Sequence, residues 1–272
     1  MKELIFVFLG DVIGNPGIAF LERKLSLIKR EYKADVVVVN GENSTKSGCG
    51  INKKTVENLK QCGVDVITTG NHVFDDKNFY VTLDERNDIL RPINYPSKCP
   101  GKGYCLINVN GQICAIVNAL GRVFIRDLVD CPFQALDTVL TFLKSKTNVI
   151  FVDFHAEATS EKQVFGYYLD GRVTGVFGTH THVQSNDARI LPHGTAFITD
   201  LGYVGALNSV IGFNPETIIN KFTVHAKVGK MIVSDQEPMI LTGVVVKVNS
   251  ETGKVLSVSG IRHVENLESY KK

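Results

Sequence analysis

The run Val64-Asp65-Val66-Ile67-Thr68-Thr69 stops at Gly70 and hands on directly to Asn71-His72-Val73-Phe74-Asp75. A β-branched stretch of this kind is expected as a buried strand, and the residues after it emerge at the edge of a sheet. Here the edge receives an amide, which ligates cations through oxygen, and an imidazole, which moves protons. The punctuation recurs along the chain. Leu4 to Leu9 ends at Gly10-Asp11, and Ala34 to Val39 ends at Asn40-Gly41-Glu42-Asn43. Val149 to Phe154 runs into His155-Ala156-Glu157, and Val173 to Phe177 into Gly178-Thr179-His180-Thr181-His182.

Helical patterns separate the first of these runs. Asn15-Pro16 opens one helix, with Asn15 as its cap and apolar Ile18, Leu21, Leu25 and Ile28 on one face, reaching about Tyr32. A second spans Lys53 to Cys62. Strands alternating with helices predict an α/β fold, and right-handed crossovers would gather the strand ends on one edge, where open α/β sheets bind their ligands. The middle of the chain is richer in strands. Gly103–Asn108 and Gln112–Asn118 flank the hairpin signal Asn110-Gly111, and helices are expected over Phe133–Lys144 and Glu161–Leu169. Short strands are expected at Ala188–Leu191 and Thr195–Thr199. Asp200 to Pro215, with Gly202, Gly205 and Gly212, is expected as one long loop of the length lids have. Glu237 to Ile261 predicts two strands joined through Ser250–Gly253. No repeat, low-complexity tract or linker divides the chain, so residues 1–272 are expected as a single domain, a layered α/β sandwich with mixed sheets flanked by helices.

Composition narrows the class. With 44% hydrophobic and 21% charged residues in 272, the chain can bury a full core. A net charge of +2 is too weak by itself to point to a surface for nucleic acid or a membrane. No stretch is long and apolar enough to span a membrane. The 6 cysteines are scattered without a C-x-x-C pair, which predicts reduced thiols in a cytoplasmic protein. The strand-rich tail leaves an edge at which a homo-oligomer can form.

The groups at strand ends are Asp11, Glu42, Asn43, Asn71, His72, His155, His180 and His182. Taken singly, each has an ordinary reading: Asp11 caps a turn, Glu42 and Asn43 are loop polars, His72 and His155 are satisfied histidines. Taken together they form a carboxylate, amide and imidazole set without thiolate, suited to iron, manganese, zinc or magnesium. The set is too large for one ion. A carboxylate can bridge two ions, and two ions can hold a hydroxide for in-line attack on phosphorus. His180 and His182, two apart in what is expected as extended backbone, would point to the same side. His193, His225 and His263 lack such companions in sequence and are expected at the surface. The turn with Gly10, Gly14 and Gly17 is not G-x-G-x-x-G, and no serine or cysteine sits in a nucleophile elbow.

These blocks, in this order, resemble the calcineurin-like metallophosphoesterase superfamily, and within it the YmdB-like phosphodiesterases. Asn118-Ala119-Leu120-Gly121-Arg122, Thr199-Asp200-Leu201-Gly202 and Ser209-Val210-Ile211-Gly212 extend the likeness over nearly the whole chain. Two departures from the broader superfamily are shared with that family: Ile13 stands where a histidine usually follows the first aspartate, and Glu42 stands where an aspartate usually bridges. The resemblance implies that Asp11, Glu42, Asn43 and His182 hold one ion. Glu42, Asn71, His155 and His180 would hold the other, with His72 as the acid that protonates the leaving oxygen. It further implies iron, with manganese or zinc as substitutes, and 2′,3′-cyclic nucleotides as substrates. A phosphomonoesterase using the same ions, and a regulatory protein that senses a nucleotide without turning it over, are the alternatives.

Overall fold

A computed structural model describes residues 3–224 and 230–265. The first half alternates as expected: β1 (Glu3–Val12), α1 (Gly14–Tyr32), β2 (Val36–Asn40), α2 (Lys53–Gln61), β3 (Val66–Thr68), α3 (Tyr80–Glu85) and β4 (Ile89–Leu90). The hairpin β5 (Tyr104–Val109) and β6 (Gln112–Leu120) follows, then α4 (Pro132–Lys144), β7 (Ile150–His155), α5 (Thr159–Leu169) and β8 (Gly175–Thr179). β9 (Arg189–Ile190), β10 (Ala196–Ile198), β11 (Tyr203–Ala206), α6 (Pro215–Val224), β12 (Met239–Asn249) and β13 (Val255–Glu265) complete the order.

The strands form two mixed sheets, one of 7 strands in the order β13-β12-β11-β1-β2-β3-β4 and one of 6 in the order β5-β6-β7-β8-β10-β9. Three apolar layers hold them. Between the sheets, Phe6 and Phe8 of β1 meet Phe151 of β7 and Phe177 of β8, with ring centroids 4.7 to 5.0 Å apart in the Phe6–Phe151, Phe8–Phe151 and Phe8–Phe177 pairs. Leu21, Leu25 and Ile28 of α1 and Val56 and Leu59 of α2 cover the outer face of the first sheet. Leu136, Leu140 and Leu143 of α4 with Phe165 and Leu169 of α5 cover that of the second. The result is the layered α/β sandwich expected, helices outside and two sheets within. Sandwiching both sheets explains why their central strands read as unbroken apolar runs rather than alternating ones.

Two local expectations differ from what forms. Residues 200–215 are not loop throughout, because β11 pairs in parallel with β1 and antiparallel with β12, all four of its residues buried. Glycine here serves close approach rather than freedom: a Cβ on Gly10 would lie 1.9 Å from the Gly202 oxygen. Helix α1 begins at Gly14 after Ile13, with no side-chain cap. The Ile13 amide donates to Val204 O and that of Gly14 to Asn43 O, so the sheet and the β2 loop take the place of the expected Asn15 cap. Among the described residues no helix is long and apolar enough to cross a membrane, and all 6 cysteines are free.

Candidate metal centre

β1, β2, β3, β7 and β8 end at one rim of the sandwich, and all eight singled-out residues lie in or just beyond those ends. Glu42 and His155, from different sheets, meet: Glu42 Oε1 is 3.0 Å from His155 Nε2. His155 Nε2 also lies 2.9 Å from His180 Nδ1. The ligand atoms of Glu42, His155 and His180 all fall within 4.8 Å of one another. His182 Nε2 approaches Asp11 Oδ1 at 3.6 Å, and the same oxygen is 4.0 Å from His155 Nδ1. Glu42 Oε2 accepts the backbone amide of His72 at 3.0 Å. Six of the eight, Asp11, Glu42, His72, His155, His180 and His182, are thereby tied to one another, and Asn43 follows Glu42 directly in the chain. Asn71 stands next to Gly70, where a Cβ would come within 2.2 Å of the His155 ring.

The histidine pair reaches the rim differently from the expectation. β8 ends at Thr179, and His180 and His182 take positive φ values of 102° and 60°. They therefore sit in a left-handed turn, not in extended backbone. Positive φ is uncommon for non-glycine residues and persists where surrounding structure enforces it. The other histidines fall where their sequence context put them in part. His193 is exposed yet pairs with Asp170 at 3.0 Å, a carboxylate distant in sequence. His263 is partly buried, 3.3 Å from the Tyr32 hydroxyl, and His225 lies outside the described residues.

Further residues hold these side chains in place. His155 Nδ1 lies 3.0 Å from Thr179 Oγ1 and 3.2 Å from Asn40 Nδ2. Thr179 and Thr68 donate their hydroxyls to the buried Asp153, which burial pushes up to about 6 against those bonds and the His155 charge. His182 Nδ1 bonds Ile211 O at 3.0 Å, turning Nε2 toward Asp11. His180 Nε2 meets Glu157 at 3.0 Å, leaving Nδ1 to face His155. Each histidine thus has one nitrogen anchored and one directed inward, the arrangement that orients metal ligands. Asn40, Asp153 and Glu157 stand inside the blocks already noted, so the signal was present. What it lacked was a way to tell a ligand from the group behind it.

The acidic groups around His155 favour its charged form. Burial would push His155 down, but Glu42, Asp11 and Asp153 outweigh it and hold the imidazole up to about 9. His180 goes the other way, to about 3, through burial and the charge of His155. Asp11 is held down to about 2: burial opposes this, and His182 and His155 overcome it. Three buried oxygens, Asp11 Oδ1, Asn43 Oδ1 and Asn71 Oδ1, have no hydrogen-bond partner. Such orphans are costly unless something accepts their lone pairs. Asn43 even donates its amide to Gly48 O at 3.0 Å, which turns its oxygen inward. The residues present therefore fit divalent metal ions, with oxygen and imidazole donors in the proportion hard-to-borderline metals prefer.

Comparisons with known proteins identify the family. The model of the YmdB-like protein family matches residues 7–261. A 2′,3′-cyclic-nucleotide 2′-phosphodiesterase of Bacillus subtilis (strain 168) is 40% identical over 255 residues, covering 94% of this chain and 95% of that protein. A putative phosphatase/phosphodiesterase of Mycoplasma pneumoniae is 39% identical, covering 100% of this chain and 97% of its own length. Among solved structures, one titled a novel phosphatase from Mycoplasma pneumoniae superposes with a TM-score of 0.90 at 38% identity, covering 100% of this chain and 98% of its own. A putative 5′-nucleotidase from Staphylococcus aureus shares the fold at a TM-score of 0.64 and 16% identity, covering 98% of this chain and 55% of its own. On its sequence and its architecture alike, the chain belongs to the YmdB-like family.

Proposed function

We propose that this protein hydrolyses phosphodiesters, 2′,3′-cyclic nucleotides foremost, at a pair of metal ions lodged at the rim. A phosphodiesterase or phosphatase activity follows from the family; the cyclic substrate is supported by the name of the Bacillus subtilis relative. The observation that carries the reading is the convergence of Glu42, His155 and His180 within 4.8 Å, beside three buried oxygens that lack partners.

Asp11, Asn43 and His182 would hold one ion, Asn71, His155 and His180 the other, and Glu42 would serve both. Supporting this, one Glu42 oxygen faces His155 and the other accepts the His72 amide. Iron is the metal favoured, with manganese or zinc able to replace it. When bound, the two cations supply positive charge for the phosphodiester and a water made acidic near neutral pH.

His72 acts on the leaving oxygen. Its Nδ1 lies 2.8 Å from Asp75 Oδ2, which fixes the ring and keeps Nε2 for the substrate. About a third of the side chain is open to solvent, so a ligand can reach it. A positioned acid of this kind contributes roughly 10²–10⁴-fold when the leaving group is an alkoxide. Thiols without a disulfide among them suit the cytoplasm, where such nucleotides occur dissolved.

Steady-state assays of the metal-loaded protein test the reading. Turnover of 2′,3′-cyclic nucleotides is expected, with a bis-aryl phosphate cleaved faster than a mono-aryl phosphate. Cleavage of the mono-aryl ester alone would make the protein a phosphomonoesterase instead. Binding of the nucleotide without turnover would make it a sensor.

A further inference from the structure

Asp200 is no member of the proposed ligand set, yet the strained histidine turn rests on it. The side chain is buried, 2% exposed. Its Oδ2 accepts three donors: Lys162 Nζ at 2.6 Å, the Thr181 amide at 3.1 Å and the Thr181 hydroxyl at 2.7 Å. Its Oδ1 accepts the Gly202 amide at 2.8 Å. Thr181 is the residue between His180 and His182, the two held at positive φ. Gly202 in turn accepts the Asp11 amide on its carbonyl at 3.1 Å. One carboxylate therefore joins the backbone that presents His180 and His182 to the backbone that presents Asp11.

Its own place is fixed from the other side. The Asp200 amide donates to Ser185 Oγ at 2.9 Å, and its carbonyl accepts the Ser185 amide at 3.1 Å. Lys162, on α5, is 1% exposed, and its ammonium balances the carboxylate. A buried ion pair contributes little net stability compared with apolar side chains of similar size, so its presence calls for a geometric reason. Only an ionised carboxylate accepts an ammonium, an amide and a hydroxyl on one oxygen while accepting a second amide on the other. An asparagine would turn an NH₂ group toward one of these donors.

We propose that Asp200, charge-balanced by Lys162, is the positioning residue of this site. Through Thr181 it enforces the left-handed turn that aims His180 and His182, and through Gly202 it sets that turn against Asp11. The inference rests on the reading of those three residues as metal ligands.

The sharpest variant is Thr181→Val, which keeps size and β-branching and deletes one hydroxyl bond, with Thr181→Ser as the conservative counterpart. Chelator-competition titration with Mn²⁺ gives affinity and stoichiometry, and thermal unfolding of the metal-free protein reports the fold. Thr181→Val is expected to weaken Mn²⁺ binding about 10- to 100-fold, as loss of a group behind a ligand does. Thr181→Ser is expected to stay near wild type, and Asp200→Asn to lose at least as much affinity as Thr181→Val. If Thr181→Val binds Mn²⁺ as wild type does while only its metal-free melting temperature falls, Asp200 is a structural residue and the proposal is overturned. Should Asp200→Asn fail to fold, the Thr181 pair still decides. A wild-type protein that takes up no Mn²⁺, Fe²⁺ or Zn²⁺ would instead remove the metal-site reading, and this inference with it.

Discussion

The division of labour between Glu42 and His72 is separable by substitution. Glu42→Ala removes the carboxylate that faces both His155 and the His72 amide, and is expected to lower metal content as well as turnover. His72→Ala touches only the proposed proton donor. It is expected to retain the wild-type metal content, measured by elemental analysis, while kcat falls by roughly 10²–10⁴-fold. An empty site in His72→Ala would show that His72 is itself a ligand. At this scale the sequence was informative for one physical reason: every ligand candidate directly follows or ends an apolar run, so burial pattern and chemistry pointed to the same residues. Asn40, Asp153 and Thr179 obey the same pattern and were not singled out. Whether a polar residue at a strand end faces the ion or stands behind the residue that does depends on side-chain direction across two sheets, which spacing does not encode. The extended backbone expected at His180 and His182 does not form; a left-handed turn presents them instead.

At the scale of elements, glycine has more than one use. Gly70 ends the β3 run, and its missing Cβ is what lets the His155 ring close on the rim, since an added carbon would lie 2.2 to 2.4 Å from that ring. Gly70→Ala is therefore expected to displace His155 and weaken Mn²⁺ binding by at least tenfold, a loss measured by titration, while far-ultraviolet circular dichroism stays that of the wild type; normal affinity would mean the ring has room to move. Glycine also explains what was misread. Gly202 and Gly205 within residues 200–215 suggest a long lid-like loop, yet they flank or belong to β11, packed between β1 and β12. Four residues are too few for a periodic signal, and β11 is specified by its neighbours rather than by its own composition. The long elements α1, β12 and β13 and the β5–β6 hairpin were legible because periodicity or turn chemistry marked each one locally. α6 is not among the expected helices, although Asn214-Pro215 repeats the start signal read at Asn15-Pro16.

For the molecule as a whole, acid is the expected weak point. Asp88 resists desolvation through hydrogen bonds from Arg86 at 2.6 Å and Lys60, whose ammonium lies 2.7 Å away, and these partners outweigh burial to hold its carboxyl below the ordinary value. Asp187 is lowered in the same sense by Ser185, Thr199 and Arg189, again against burial. A folded pKa below the unfolded one stabilises above the unfolded value, near 4, and that contribution is lost as pH falls through the folded value. The melting temperature of Asp88→Asn is thus expected to lie below that of wild type at pH 6 and to converge on it below about pH 4; a gap independent of pH would mean that charge is not what the substitution removes. The layered architecture was legible as a class, because strand–helix alternation admits few packings. Which strands share a sheet was not, since β12 reaches β1 across most of the chain's length.

Glu42 comes from one sheet and His155 from the other, and their atoms meet only where the two layers are seated on the shared phenylalanines. Neither half of the sandwich owns the chemistry. If the proposed site carries the reaction, a molecule whose halves had each formed without docking would be inert, and turnover would double as an inspection of assembly.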